Sequence, residues 1–369
     1  MTTSADLVRL AEVPEVTYGV TPATPAFKVI RTSGESLAFA PTTTQSANMN
    51  PLRQTTDSIL TGGNSAGAIN YELAKEVWFE DLLSGAMCND WVTNVLTIGV
   101  KLKSFTIEKT IPITTSTFDY HRVPGAIMNG FSMTIAPNAP ITSTFDILGK
   151  DYITASAIVT GATYGTLAMK PVFTAPLVTN ISITGIAAGT PCFNNITLTL
   201  NNNDRALECI GSLGAREMAL GRAEVTIAFS LYYYDKALLD LLKAQTAFAM
   251  SFTIVDSDTV PNSYQFDLPK CKLTQCTVVA GGTGQDVVAD CIATALLDTV
   301  TGTSLKITRL PGAATLGEAI VVDDEDEGAA REVEREDATR DDLLPPDELP
   351  LGEPGHPEPV PPSLLTEAR

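Results

Sequence analysis

The sequence predicts a mainly β chain built from two tandem copies of one unit, each a set of strands with a single flanking helix, and then a tail with no core. Three observations predict this. The stretch LTGGNSAGAINYELAKEVWFEDLL at 60–83 returns as ALGRAEVTIAFSLYYYDKALLDLL at 219–242, with Gly63, Ile69, Tyr71 and Leu73 falling on Gly221, Ile227, Phe229 and Leu231. In both stretches apolar residues alternate and then change period: Ile69, Tyr71 and Leu73 read as a half-buried strand, while Trp78, Phe79, Leu82, Leu83 and Ala86 read as a short amphipathic helix. Ile227, Phe229 and Leu231, then Leu238, Leu241 and Leu242 after an Asp235 N-cap, repeat the change. After Pro311 the composition turns acidic and proline-rich.

Taken in order, residues 1–28 hold Pro14, Pro22 and Pro25 among Thr and Ala and read as an extended arm lying on a neighbour. Residues 29–157 form the first domain, with strands around 36–40 and 69–73, the helix, and a long hairpin from Phe105 to Met133 whose Thr-rich side is wet. Phe131–Ile135 and Ser143–Ile147 are strands across the turn Pro-Asn-Ala-Pro. Residues 158–178, with Gly161, Gly165, Pro171 and Pro176, connect the domains through a small hairpin. The second domain covers 179–298, with Ser251–Ile254 matching Ser104–Ile107, Pro269 matching Pro124, and a turn at Gly281, Gly282 and Gly284. Residues 299–369 are linker and a disordered acidic tail, too poor in large apolar residues to offset the entropy of ordering.

Composition excludes several functions. Of the 24 basic and 43 acidic residues, 4 and 17 fall in 311–369, so the body is only mildly acidic and has no basic footprint for gripping nucleic acid. Six scattered cysteines suggest reduced thiols rather than a disulfide framework. No export signal and no membrane-length apolar run is expected.

Catalytic constellations are equally scarce. The two histidines are His121, beside Tyr120 and Arg122 in a strand pattern, and His356 in the tail, so a Ser-His-Asp or Cys-His relay has little to build on. Cys271 and Cys276 have no histidine near for zinc and read as core or half-buried thiols. Gly281-Gly-Thr-Gly lies between strands and reads as a turn, not a phosphate cradle. Carboxylates such as Asp119 and Asp146 read as solvated, and Tyr232-Tyr233-Tyr234 as a core or interface cluster. No enzyme and no cofactor is expected.

Two β-rich units with exposed edges call for pairing between identical neighbours. The run Thr17-Tyr-Gly-Val-Thr-Pro-Ala-Thr-Pro-Ala-Phe27, then Ser36-Leu37, Arg53, Thr56–Gly62, the Tyr71-Glu-Leu73 strand and the Phe79–Leu83 helix, resembles the major tail tube proteins of long, non-contractile-tailed bacteriophages. The resemblance covers roughly 17–300. It implies a β-sandwich or half-barrel in each copy and a structural virion protein of the tail, assembled in the bacterial cytoplasm into stacked rings around a genome channel. Single-domain relatives make a six-unit ring, so two copies per chain imply a trimer of pseudo-sixfold symmetry, with a hexamer as the rival. Partners implied are the chain itself, tape measure and terminator proteins, and phage DNA passing without specific binding. Candidate lumen-lining residues are Thr106, Glu108, Thr110, Thr114, Thr253 and Asp256. An adhesin or carbohydrate-binding sandwich, a glycosidase, or another tail ring such as a terminator or baseplate hub remain the alternatives.

Overall fold

Alternating apolar residues over many short stretches, with only two runs of helical period, leave the chain little choice but paired strands. The computed structural model describes residues 3–167, 169–186, 191–258 and 260–310, and the acidic tail lies outside them. The first half contains β1 (Arg9–Pro14), β2 (Ala26–Ile30), β3 (Gly34–Glu35), β4 (Ala38–Gln45), β5 (Ser58–Glu72), α1 (Val77–Ala86), β6 (Val95–Thr97), β7 (Phe105–Pro112), β8 (Phe118–Ile135), β9 (Thr142–Gly149), β10 (Ile153–Ala155) and β11 (Thr163–Tyr164). The second contains β12 (Val178–Ile183), β13 (Phe193–Asn201), β14 (Arg205–Leu207), β15 (Glu217–Ala219), β16 (Glu224–Tyr232), α2 (Ala237–Ala244), β17 (Phe248–Val255), β18 (Ser263–Ala280), β19 (Val287–Ala295) and β20 (Lys306–Leu310).

One antiparallel pairing order occurs in both halves. β1 pairs with β7, β7 with β8, β8 with β9, β9 with β5 and β5 with β4. In the same sequence β12 pairs with β17, β17 with β18, β18 with β19, β19 with β16 and β16 with β13. β10 lies on the first half of β8 as β20 lies on the first half of β18.

The two long strands tie these orders together. β8 and β18 are each 18 residues long with proline seventh, Pro124 and Pro269. Such a strand extends about 60 Å, so each bends and serves two layers, one half pairing with β7 or β17 and the other with β9 or β19. In β8 the bend uses Gly125 at φ +65°, a conformation that glycine adopts without strain. Both strands also bulge just past the bend, between Met128 and Gly130 and between Leu273 and Gln275.

The second half of β8 takes a further partner from beyond the connector: Gly130 through Ile135 pair with Asn201 through Ile196 of β13. A continuous antiparallel sheet therefore runs β4-β5-β9-β8-β13-β16-β19-β18. One apolar core, from Leu10 to Ile307, backs it across both halves. At its centre Phe79 of α1 meets Tyr71, Phe131, Phe145 and Tyr264 with ring centroids 5.6–6.4 Å apart.

Several expectations need correction. The Thr-rich side of the β7–β8 hairpin is not wet, because Tyr164, Arg9 and Glu15 lie over it and bond Glu108, Thr110 and Thr106. The arm is held by strand pairing within its own chain, β1 with β2 and β7. Residues 163–164 pair in parallel with β2 rather than in a hairpin of the connector. The residues after 298 are not all linker, since Leu305 and Ile307 are fully buried and β20 pairs with β18 and β6. Tyr232, Tyr233 and Tyr234 are exposed rather than core.

The register of the internal match also shifts. Phe105 and Ile107 oppose Ala126 and Val123 as Phe248 and Met250 oppose Cys271 and Leu268, so Ile107 takes the place of Met250 and not of Ile254. Gly67 opposes Ile147 as Ile227 opposes Ala293, which displaces the match of β5 on β16 by two residues.

Candidate functional site

Five of the six residues expected to line a lumen are buried: Thr106, Glu108, Thr110, Thr253 and Asp256. They serve the interior. Thr106 Oγ1 donates to Glu15 Oε1 at 2.7 Å. Glu108 accepts from Arg122 Nε at 2.7 Å and from the Tyr164 hydroxyl at 2.5 Å. Arg9 lies 3.6 Å over the Tyr164 ring and donates to Thr110 Oγ1 at 3.0 Å. Burial and the Glu108 bond raise the Tyr164 hydroxyl above its usual range, so it stays a donor. Asp256 ties its loop, accepting from the Asn262 backbone at 2.8 Å and its side chain at 2.9 Å. Thr114 alone is exposed, in the β7–β8 turn, where its Oγ1 accepts from Thr117 N at 3.1 Å.

A polar surface of the right kind lies on the eight-stranded sheet. Because the pleat sends alternate residues to opposite faces, core residues such as Ile69, Phe145, Phe131, Leu198, Ile227 and Ala293 leave a second face free. The register sets that face in rows. One runs Asn70-Thr144-Ser132-Thr199-Thr226-Thr294-Lys272, and the next Glu72-Thr142-Thr134-Thr197-Ala228-Ile292-Gln275. Neighbours within a row bond, Thr144 Oγ1 donating to Asn70 Oδ1 at 2.8 Å and the Thr134 and Thr197 hydroxyls lying 3.4 Å apart.

The face is neutral to acidic. Its carboxylates are Glu72, Asp146, Glu224 and Asp290, all exposed. Lys272 is the single lysine or arginine on these eight stretches, 38–45, 58–72, 127–135, 142–149, 193–201, 224–232, 271–280 and 287–295. Such a surface repels phosphate weakly at long range and offers it no chelating cation. Among the described residues no group of three His, Cys, Asp or Glu could hold a metal ion. His121 Nδ1 and the Tyr152 hydroxyl lie 2.7 Å apart, and burial first among causes lowers the imidazole's affinity for a proton.

The alternations Asn70/Glu72, Ser132/Thr134 and Thr144/Asp146 carried the signal for this face in the sequence. What hid it was the equal polarity of β7, whose threonines face a polar interior. Two ends of the sheet stay open: among the described residues no strand pairs with the outer edge of β4, nor with the outer edge of β18 at 275–280.

No helix among the described residues is long and apolar enough to cross a membrane. No curated protein matches the chain. The family model described as phage tail tube protein matches residues 5–308, which spans both sets of strands. A mainly β body, an open polar sheet face and this match over most of the chain agree: the chain belongs to the phage tail tube protein family and is a structural component of the virion tail.

Proposed function

We propose that the chain carries two copies of one tail tube domain, that three chains close into a ring of pseudo-sixfold symmetry, and that stacked rings make the channel through which the phage genome leaves. The recurrent pairing order supports the duplication, and the eight-stranded sheet with two open edges supports closure. The observation that carries the reading is the free face of that sheet, polar and nearly without cations. It lines the channel, and DNA passes with water between wall and duplex rather than by specific binding. Tape measure and terminator proteins meet the tube inside and at its end, and assembly takes place in the host cytoplasm.

The two candidate rings differ in width. With strands about 4.8 Å apart and tilted about 40°, three chains of eight strands close a barrel about 48 Å across at the backbone, and six chains one about twice as wide. Purified protein imaged by negative stain at rising concentration is expected to form hollow tubes of uniform width. A monodisperse monomer at the highest concentration would refute the reading.

A further inference from the structure

The chain contains, folded once within itself, the joint that its copies need. We infer that the outer edge of β18 in one subunit, residues 275–280, pairs antiparallel with residues 35–40 at the outer edge of β4 in the next, in the register that β8 and β13 already show. This rests on the ring proposed above and names the surfaces that close it.

The equivalences come from the pairings. Equal bends and bulges set Gly130–Ile135 of β8 against Gln275–Ala280 of β18. Ala38 opposes Ala66 on β5 as Thr199 opposes Thr226 on β16, and Phe39 opposes Ser65 as Leu200 opposes Val225, so β4 holds the place of β13. Within the chain Phe131 pairs with Leu200 and Ser132 with Thr199. Carried to the open edges, Cys276 meets Phe39 and Thr277 meets Ala38 of the neighbour.

Burial supports the transfer. At the closed joint Phe131, Met133, Leu198 and Leu200 are at most 1% exposed. Of their counterparts Leu37 is already buried within the chain, but Cys276, Val278 and Phe39 are only half-buried, so apolar surface continues to each edge and stops partly uncovered. The backbone of β4 shows the same lack. Ser36 N donates to Ala68 O on the β5 side, which turns the polar groups of Leu37 outward. There, side chains stand in for a strand: Leu37 N donates to Glu35 Oε2 at 2.8 Å and Lys109 Nζ donates to Leu37 O at 3.4 Å. These two swing away when a neighbour supplies the strand. Pro41, just past the paired stretch, has no N–H and ends the joint.

The test joins the edges covalently. Ala38→Cys with Thr277→Cys, assembled and oxidised, is expected to give closed covalent trimers on a non-reducing gel. Ser36→Cys with Gln275→Cys, four residues out of register, is expected to give none. Native Cys276 supplies a readout without substitution: a thiol reagent should label it in free subunits and at least tenfold more slowly in tubes, while Cys192 and Cys209, exposed in the subunit, serve as references. Tubes that form normally with Cys276 equally reactive, or that cross-link only out of register, overturn the joint while leaving the ring intact. Absence of any tube from the unsubstituted protein overturns the ring itself.

Discussion

α1 and α2 follow equivalent strands, yet they differ in what covers them. α1 buries Trp78, Phe79, Leu82, Leu83, Ser84, Gly85 and Ala86, whereas α2 buries Leu238 alone and leaves Leu241 and Leu242 half-covered. The cover on α1 is the other half of the chain: the Tyr264 ring stands 5.6 Å from Phe79, its hydroxyl donates to Glu80 at 2.9 Å, and Arg309 Nη1 donates to Glu80 at 2.5 Å. α2 has no such half beyond it in the described chain. The first set of strands is thus finished by the second, and the second is left as the first would be without it. In the proposed ring a further copy of the chain would be the partner that removes the asymmetry.

The comparison breaks most sharply in the core. Phe79→Ala is expected to destabilise the free subunit by about 3–5 kcal/mol, as truncation of a fully buried ring does, while Leu242→Ala costs about 1 kcal/mol for a half-buried leucine. Denaturant unfolding of the unassembled protein measures both, and equal losses would remove the distinction between the helices.

Glu108→Ala tests the feature that the first set has alone. Arg122 would keep its charge, 8% exposed and without its carboxylate, at a cost of about 3 kcal/mol. Thr253, on the strand that takes the place of β7, has no ion pair to lose, so Thr253→Ala is expected to cost about 1 kcal/mol. The same unfolding measurement separates the two.

Glu12 on β1 sharpens the contrast by pH, since β12 in the equivalent place carries no ionisable side chain. Burial first, and then Asp81, push its carboxyl from 4.5 to about 8, against the pull of Lys28 at 3.9 Å. The folded chain holds this proton where the unfolded chain releases it, so stability falls as pH rises from about 4.5 to about 8. Glu12→Gln is expected to flatten that slope in melting temperature and to stabilise the subunit at pH 8 by about 2 kcal/mol. An unchanged slope would show that another group sets it.

The smallest expected effect on folding is the largest on passage. Asp146→Lys with Glu224→Lys puts cations on the open face, both sites being exposed, and is expected to leave stability within about 0.5 kcal/mol. Genome ejection from virions carrying both should slow, and added salt should restore it. Unchanged ejection would remove these positions from the channel wall.

Much of this fold was legible, and what was not shares one cause. A strand pattern of period two matches itself at any even displacement, so Ser104–Ile107 could be set on Ser251–Ile254, four residues from its structural counterpart, without any apolar residue changing face. Pro124 and Pro269 are not periodic, and the match they anchor agrees with the pairing register. Choosing the wet face failed for a related reason. Thr106, Glu108 and Thr110 alternate as surface residues do, and only Tyr164, Arg9 and Glu15, brought from elsewhere in the chain, make that side an interior. Ser132, Thr134 and Thr144 show the same alternation and stay half-exposed.

A reconstruction of the assembled tube by electron cryo-microscopy tests the central claim most directly. The account predicts three chains per ring in a continuous barrel about 48 Å across, with Asn70, Thr144, Ser132, Thr199 and Thr226 facing the lumen and β18 of each chain beside β4 of the next. A lumen walled by β7 and β17, or rings whose eight-stranded sheets do not meet edge to edge, would contradict it.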